Sequence, residues 1–219
     1  MIDPRHFRLF VLLLTIGYSI EVAATANYGA FGAQFRFLTI WALTGNLIAA
    51  AAMLQPAHKH PDGRFDTALS VLAIINALVV FSYWRLFFID PALVNGDATP
   101  KPYREYYLHL VMPILMWIDL FWLERGFRRL LAVLGWLAVT VLVYVAWTEL
   151  LVAPLNAKPV GDVTSGLPYP FLNDMELPAR ATFYATIYIT GAVFTLVFYG
   201  VGTMLRRRSQ ADQRELQTP

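Results

Sequence analysis

Residues 107–121 read YLHLVMPILMWIDLF, an apolar stretch that carries His109 near one end, Pro113 in the middle and Asp119 near the other end. An ionisable group costs about 2.5 to 3.5 kcal/mol at the centre of a membrane helix, so such groups normally face the interior of the protein. If this stretch crosses a membrane, its histidine and its aspartate are expected to contact other helices. His109 is therefore the first candidate for a functional residue.

The composition is that of an integral membrane protein. Hydrophobic residues make up 58% of the 219 residues and charged residues only 15%, whereas soluble proteins contain about 25% charged residues. The chain has no cysteine, which excludes disulfides, thiolate nucleophiles and zinc–thiolate or iron–sulfur sites. His58 and His60 have no third ligand beside them, so we predict no metal site. We also predict no cofactor and no nucleic-acid partner.

Six apolar segments approach or exceed the length of about 20 helical residues that crosses a bilayer. We predict an all-α, six-transmembrane-helix bundle forming one domain over 1–219, with spans at about 7–26, 36–54, 67–89, 107–123, 130–152 and 181–205. An alternative for the first span is a cleaved secretory signal, because basic residues precede it and Ala24-Thr25-Ala26 resembles a cleavage site. Cleavage would leave five spans.

The basic residues fix the predicted orientation, because cytoplasmic loops of membrane proteins carry an excess of Lys and Arg. One side of the six-span bundle holds Arg5, Arg8, Lys59, Arg64, Arg125, Arg128, Arg129, Arg206, Arg207, Arg208 and Arg214, and the other holds only Arg36, Lys101, Arg104, Lys158 and Arg180. This predicts both termini in the cytoplasm, and we expect a bacterial inner membrane. The long outer loop at about 153–180 contains Leu167-Pro168-Tyr169-Pro170-Phe171 and is predicted to be a structured lid.

With this topology, five spans place polar residues at the depth of the outer leaflet. The residues of this layer are Glu21, Arg36, Thr39, the Tyr83-Trp84-Arg85 cluster, His109 and Glu149. The cluster alone is typical of an interfacial anchor, but so many polar groups at one depth favour a site. Asp119 lies ten residues from His109, or about 15 Å along a helix, and is predicted to be structural, with Arg125 or Arg128 as its nearest cationic partner.

An imidazole and a hydroxyl in one layer indicate a nucleophile that is activated by a general base. Arg36 or Arg85 is positioned to stabilise an oxyanion or to hold a lipid carboxylate, and Glu149 or Glu21 to orient the imidazole. Because a site at this depth meets acyl chains, an ester-bearing lipid is the expected substrate and membrane partner.

Three short motifs resemble the bacterial six-pass branch of the androgen-induced-gene family. They are Arg36-Phe37-Leu38-Thr39 at the start of the second span, His109 with Pro113 and Asp119 in the fourth, and Leu167–Phe171 in the last outer loop. Animal members of the family are integral-membrane hydrolases of fatty acid esters of hydroxy fatty acids, with a threonine nucleophile and a histidine. The resemblance implies that Thr39 is the nucleophile and His109 its catalytic partner. Tyr169, in the last outer loop, is a further candidate for oxyanion or substrate binding.

Two alternatives remain at this point. A transporter or lipid-binding protein would use the polar layer to bind a head group without chemistry, although no repeat between the two halves of the chain favours transport. A haem-binding electron carrier would need paired axial ligands from facing spans, and only His109 lies within a span.

Overall fold

The structure is a computed structural model that describes residues 3–55, 63–95, 101–156 and 166–215, so His58 and His60 lie outside the described residues. Every regular element in these ranges is helical. Six long helices follow one another along the chain: α1 (Pro4–Ala24), α2 (Leu38–Met53), α3 (Arg64–Ile89), α4 (Pro102–Glu124), α5 (Leu130–Leu155) and α6 (Leu177–Glu215). Short helical turns occur at Ala33–Arg36, Ala92–Asn95 and Pro170–Asn173.

Five of the helices are long and apolar enough to cross a membrane, namely α1, α3, α4, α5 and the part of α6 over Leu177–Ala211. The apolar helix α2 has 16 residues, or about 24 Å, and is shorter than the hydrocarbon core of about 30 Å. The helix α4 begins five residues before the predicted span, because Pro102 occupies its first turn, where a missing N–H costs nothing. The chain is thus a multi-pass, all-helical membrane protein.

The helix α3 forms the centre of the bundle. In its most apolar segment 61% of the residues are buried, against 11% in α6, and it packs against α2, α4, α5 and α6. Asn76 in α3 and Asn46 in α2 are fully buried and exchange two side-chain hydrogen bonds of 2.9 Å. The oxygen of each amide thus accepts from the other, and this pair joins the two helices in the core at no cost of an unpaired amide oxygen.

A buried ion cluster holds one end of the bundle together, and we call Arg8, Asp119 and Glu124 the Arg8 clamp. Arg8 Nε and Nη2 donate to the two oxygens of Asp119 at 2.9 and 2.8 Å, Nη1 donates to the Met53 carbonyl at 3.1 Å, and Nη2 also donates to Glu124. The clamp therefore joins α1, α2 and α4. Proximity along the chain favours Arg125 or Arg128 for Asp119, but the structure gives it Arg8, from 111 positions earlier.

Of the outer loop predicted at about 153–180, Ala153–Leu155 continues α5 and 177–180 belongs to α6, so the described loop is residues 166–176. This loop lies at the opposite end of the bundle. Asn173 Oδ1 accepts from the Leu167 N–H at 2.9 Å and Asn173 Nδ2 donates to the Leu167 carbonyl at 3.0 Å. Leu167 and Leu172 are buried. This part of the loop is folded against the helices; residues 157–165 of the predicted lid lie outside the described residues.

Candidate functional site

A cavity of about 470 Å³ opens at the end of the bundle opposite the Arg8 clamp. Side chains from all six helices and from the loop at Pro168–Leu172 line it, and most of them are apolar. Its volume lies within the range of about 300 to 1,000 Å³ that is usual for ligand pockets. Of the predicted polar layer, Arg36, Thr39, Tyr83 and His109 face this cavity.

Thr39 and His109 meet in the cavity wall. The helix α2 begins at Leu38, so Thr39 lies in its first turn, and His109 lies in a π-helical segment of α4 over Tyr107–Val111. Thr39 Oγ1 is 3.3 Å from His109 Nε2. Two residues 70 positions apart in sequence are therefore within hydrogen-bond reach, which is the first geometric requirement for a nucleophile and its base.

The contacts of the other ring nitrogen determine which tautomer His109 adopts. His109 Nδ1 is 3.0 Å from the backbone carbonyl of Glu105 and 3.3 Å from its Oε2. A carbonyl and a carboxylate both accept hydrogen bonds, so we assign the ring proton to Nδ1. The neutral ring then presents the lone pair of Nε2 to the Thr39 hydroxyl.

Two aromatic residues of α3 hold His109 in place. The Tyr83 ring stacks on the imidazole with a centroid separation of 3.5 Å and an interplanar angle of 6°. Trp84 Nε1 donates to the His109 carbonyl at 2.9 Å. Pro113, four residues later, has no N–H to donate to this carbonyl as in a regular α-helix, and Trp84 supplies a donor from α3. Tyr83 and Trp84, whose cluster on local grounds is typical of an interfacial anchor, therefore support the candidate site.

Arg36 lies in the short turn before α2 and lines the cavity. Its Nε donates to the Ala33 carbonyl at 2.9 Å, and its guanidinium carbon lies 5.3 Å from the centre of the Phe37 ring. Among the residues that the structure describes, Arg36 has no carboxylate partner. A half-buried cation without a protein counter-ion is suited to binding an anionic group.

Tyr169 connects the outer loop to the start of α2. Its hydroxyl oxygen accepts from the Leu38 N–H at 3.1 Å, and the nearby Tyr144 hydroxyl donates to the Arg36 carbonyl at 2.8 Å. Desolvation raises the pKa of Tyr169, and its hydrogen bonds with Tyr144 and with the Leu38 N–H only partly oppose this effect. The phenol is therefore protonated at neutral pH. Because the single hydroxyl hydrogen of Tyr144 goes to the Arg36 carbonyl, Tyr169 donates its own hydrogen to the Tyr144 oxygen.

Glu149 and Glu21 do not contact the imidazole among the described residues. Glu149 accepts from Arg180 at 2.9 and 3.1 Å and from the Tyr184 hydroxyl at 2.8 Å, which joins α5 to α6. Glu21 accepts from Lys101 at 3.3 Å and lies 3.8 Å from Arg104 Nη1. Both carboxylates are held by cations, so the orienting roles expected for them are not reflected in their contacts.

Arg85 is exposed and is not among the described residues that line the cavity. It follows Tyr83 by two residues, a rotation of about 200° around a helix. Tyr83 faces the cavity, so Arg85 points away from it.

Glu105 is the carboxylate that does contact His109, and sequence reasoning missed it. It lies four residues before the histidine, a spacing that puts both side chains on one helix face. That spacing is the signal that would have identified it. Within the described residues, no group of three or more His, Asp or Glu side chains is arranged to hold a metal ion.

Comparison with known proteins gives one positive result. A search of curated proteins and a search of solved structures each found no match. The family model described as FAR-17a/AIG1-like protein matches residues 5–203, which cover α1 to α5 and most of α6, including Thr39 and His109. Since this match spans well over half of the chain, the protein belongs to the FAR-17a/AIG1-like family.

Proposed function

We propose that the protein is an integral-membrane hydrolase that cleaves a lipid ester similar to a fatty acid ester of a hydroxy fatty acid. The observation that carries this proposal is the distance of 3.3 Å between Thr39 Oγ1 and His109 Nε2 in the wall of a mostly apolar cavity. Membership of a family known for threonine hydrolase activity supports the same chemistry.

In the proposed reaction, the Thr39 hydroxyl attacks the ester carbonyl carbon while His109 Nε2 takes its proton. Collapse of the tetrahedral intermediate breaks the bond to the leaving alcohol, which receives that proton from the imidazolium. Water then attacks the acyl-threonine with His109 as the base, which releases the fatty acid and regenerates the Thr39 hydroxyl.

Two groups near Thr39 are proposed to bind the charged parts of the substrate. The phenol of Tyr169 is held beside Thr39 by the Leu38 N–H, and it is suited to stabilising the oxyanion by turning its hydrogen from the Tyr144 oxygen to the substrate. Arg36, which lacks a carboxylate partner among the described residues, is suited to the free carboxylate of such a lipid or to the same oxyanion.

The proposed placement is six membrane crossings in a bacterial inner membrane, with both termini in the cytoplasm and the cavity in the outer leaflet. The excess of Lys and Arg at the end of the bundle that contains the Arg8 clamp supports this orientation. The shorter helix α2 would then cross together with the Ala33–Arg36 turn that precedes it. An acyl chain would enter the cavity from the surrounding lipid.

The test is labelling of the purified protein by a fluorophosphonate probe, together with hydrolysis of a fatty acid ester of a hydroxy fatty acid in detergent micelles. Thr39→Ala is expected to abolish both, and His109→Ala to leave only a small residual rate of each. Thr44→Ala is the matched control, because Thr44 lies in the same helix and its hydroxyl bonds to the Ile40 carbonyl at 2.8 Å. His6→Ala, at the exposed end of α1, is the control for histidine loss.

Wild-type protein that neither reacts with the probe nor hydrolyses the ester would overturn the proposal. A wild type that binds the lipid without hydrolysing it would instead favour a lipid-binding or transport protein. Hydrolysis that survives in both Thr39→Ala and His109→Ala would show that the reaction occurs elsewhere in the protein.

A further inference from the structure

A buried carboxylate lies on the far side of His109 from Thr39. The side chains of Glu105 and His109 are only 11% and 7% exposed, and Glu105 Oε2 is 3.3 Å from His109 Nδ1. The other carboxylate oxygen, Oε1, is 3.6 Å from Arg104 Nε. Burying a carboxylate is costly unless its charge has partners. The partners of Glu105 therefore indicate the role of its charge.

The backbone carbonyl of Glu105 already accepts from His109 Nδ1 at 3.0 Å. That single bond is sufficient to fix the tautomer and the direction of the ring. The carboxylate is therefore not required for orientation, and its distinct contribution is a negative charge beside a ring that becomes positive when it takes the proton of Thr39.

The charges around Glu105 are balanced before any reaction occurs. Arg104 lies between the carboxylates of Glu105 and Glu21, at 3.6 and 3.8 Å, and Lys101 donates to Glu21 at 3.3 Å. Two cations thus face two carboxylates. Glu105 does not need a positively charged histidine as its counter-ion, so the imidazole is free to act as a base.

We propose that Glu105 is a positioning residue that acts through His109, so that Thr39, His109 and Glu105 form a catalytic triad. This inference rests on the proposed hydrolase function. As Nε2 accepts the proton, the positive charge spreads to Nδ1–H, where Glu105 stabilises it against the cost of creating a cation in a mostly apolar cavity. All three members lie within 3.3 Å of their neighbours.

The alternative explanation is that Glu105 only pairs with Arg104 to hold the end of α4. Both explanations predict that its removal lowers stability. They differ in whether the loss of activity depends on the presence of His109, because a residue that acts through the imidazole has nothing to act on once the imidazole is gone.

The experiment measures kcat and KM for p-nitrophenyl octanoate, and the rate of fluorophosphonate labelling, in detergent micelles. Glu105→Gln keeps the shape and the backbone carbonyl and removes the charge. We expect kcat and the labelling rate to fall about 10- to 100-fold, a part of the 10²- to 10⁴-fold that a general base contributes, with KM within about twofold of the wild type.

Asp119→Asn is the matched control, because it neutralises another buried carboxylate of the same helix, bound to Arg8 at the opposite end of the bundle. It is expected to lower the unfolding temperature and to leave kcat unchanged. In a His109→Ala background, Glu105→Gln is expected to change the residual rate less than about twofold. If Glu105→Gln does not fold, Glu105→Asp keeps the charge one methylene further from the ring, and we expect an intermediate kcat.

An active wild type with unchanged kcat in Glu105→Gln, or in Glu105→Asp where that variant is used, would overturn the triad and leave the proposed function intact. An equal fall in the wild-type and His109→Ala backgrounds would also overturn it, since Glu105 would then act structurally. A wild type that neither labels nor hydrolyses the ester would overturn the hydrolase function itself, and the triad with it.

Discussion

Replacing Asp119 with alanine removes the carboxylate that accepts two hydrogen bonds from Arg8, at 2.9 and 2.8 Å. The side chains of Arg8 and Asp119 are only 9% and 3% exposed, so water cannot easily replace the lost partner. The guanidinium would remain buried between α1, α2 and α4 with one carboxylate fewer. We expect a folded protein of clearly lower stability.

Removing one partner of a buried ion pair costs about 3 to 5 kcal/mol, because the other charge is left without compensation. Glu124 and the Met53 carbonyl continue to accept from Arg8, so the lower end, about 3 kcal/mol, is expected. For a chain of this size 1 kcal/mol corresponds to about 2 to 4 °C in Tm, which gives a decrease of about 6 to 12 °C.

Thermal unfolding in detergent micelles, followed by the fluorescence of the six tryptophans, measures this change. Arg128→Ala is the control, because the Arg128 side chain is exposed while its backbone N–H binds Asp66 at 3.1 Å; the expected change is within about 0.5 kcal/mol. In the Asp119→Ala background, Arg8→Met should cost less than in the wild type. A Tm of Asp119→Ala equal to that of Arg128→Ala would refute the clamp.

Two further predictions concern the core and the support of the histidine. Asn46→Leu leaves the buried Asn76 amide without its partner. It is expected to lower the free energy of unfolding by about 1 to 3 kcal/mol in the same assay. The double variant with Asn76→Leu should recover most of this loss, and two losses that simply add would contradict the prediction. Trp84→Phe removes the N–H that binds the His109 carbonyl and should lower kcat severalfold at constant KM, whereas Trp117→Phe, which removes a similar bond to a carbonyl of α3, should leave kcat unchanged.

The helical class of the fold is predictable from the sequence because lipid leaves the backbone few options. Every N–H and C=O in the hydrocarbon region must be paired within its own segment or with a neighbour, so long apolar runs become helices. The exact lengths are less predictable. The short helix α2 is preceded by a separate turn at Ala33–Arg36, since Phe37 between them has an extended backbone, with φ −95° and ψ 133°.

The sequence predicts the level at which the candidate-site residues lie along the helices, but not the directions in which their side chains point. Counting residues from the ends of alternating helices places Thr39 and His109 at one level, because each residue advances about 1.5 Å. The same count places Glu149 there, but its carboxylate turns towards Arg180. The direction of a side chain depends on how each helix rotates about its axis, and only packing against its neighbours determines that. Glu105 was not predicted as a site residue because it lies before the start of the predicted span.

The two buried carboxylates of α4, Asp119 and Glu105, are expected to have different roles, one in stability and the other in the proposed reaction. Asp119 is held by the guanidinium of Arg8, which comes from another helix, so its charge is compensated in every state of the protein. Glu105 is held by Arg104 and also contacts a ring whose charge changes during the proposed reaction. Neutralising Asp119 should therefore lower Tm without changing kcat, while neutralising Glu105 should lower kcat by more than any loss of stability explains. If neutralising Asp119 lowered kcat while neutralising Glu105 lowered only Tm, the reaction would take place at the end of α4 that holds the Arg8 clamp.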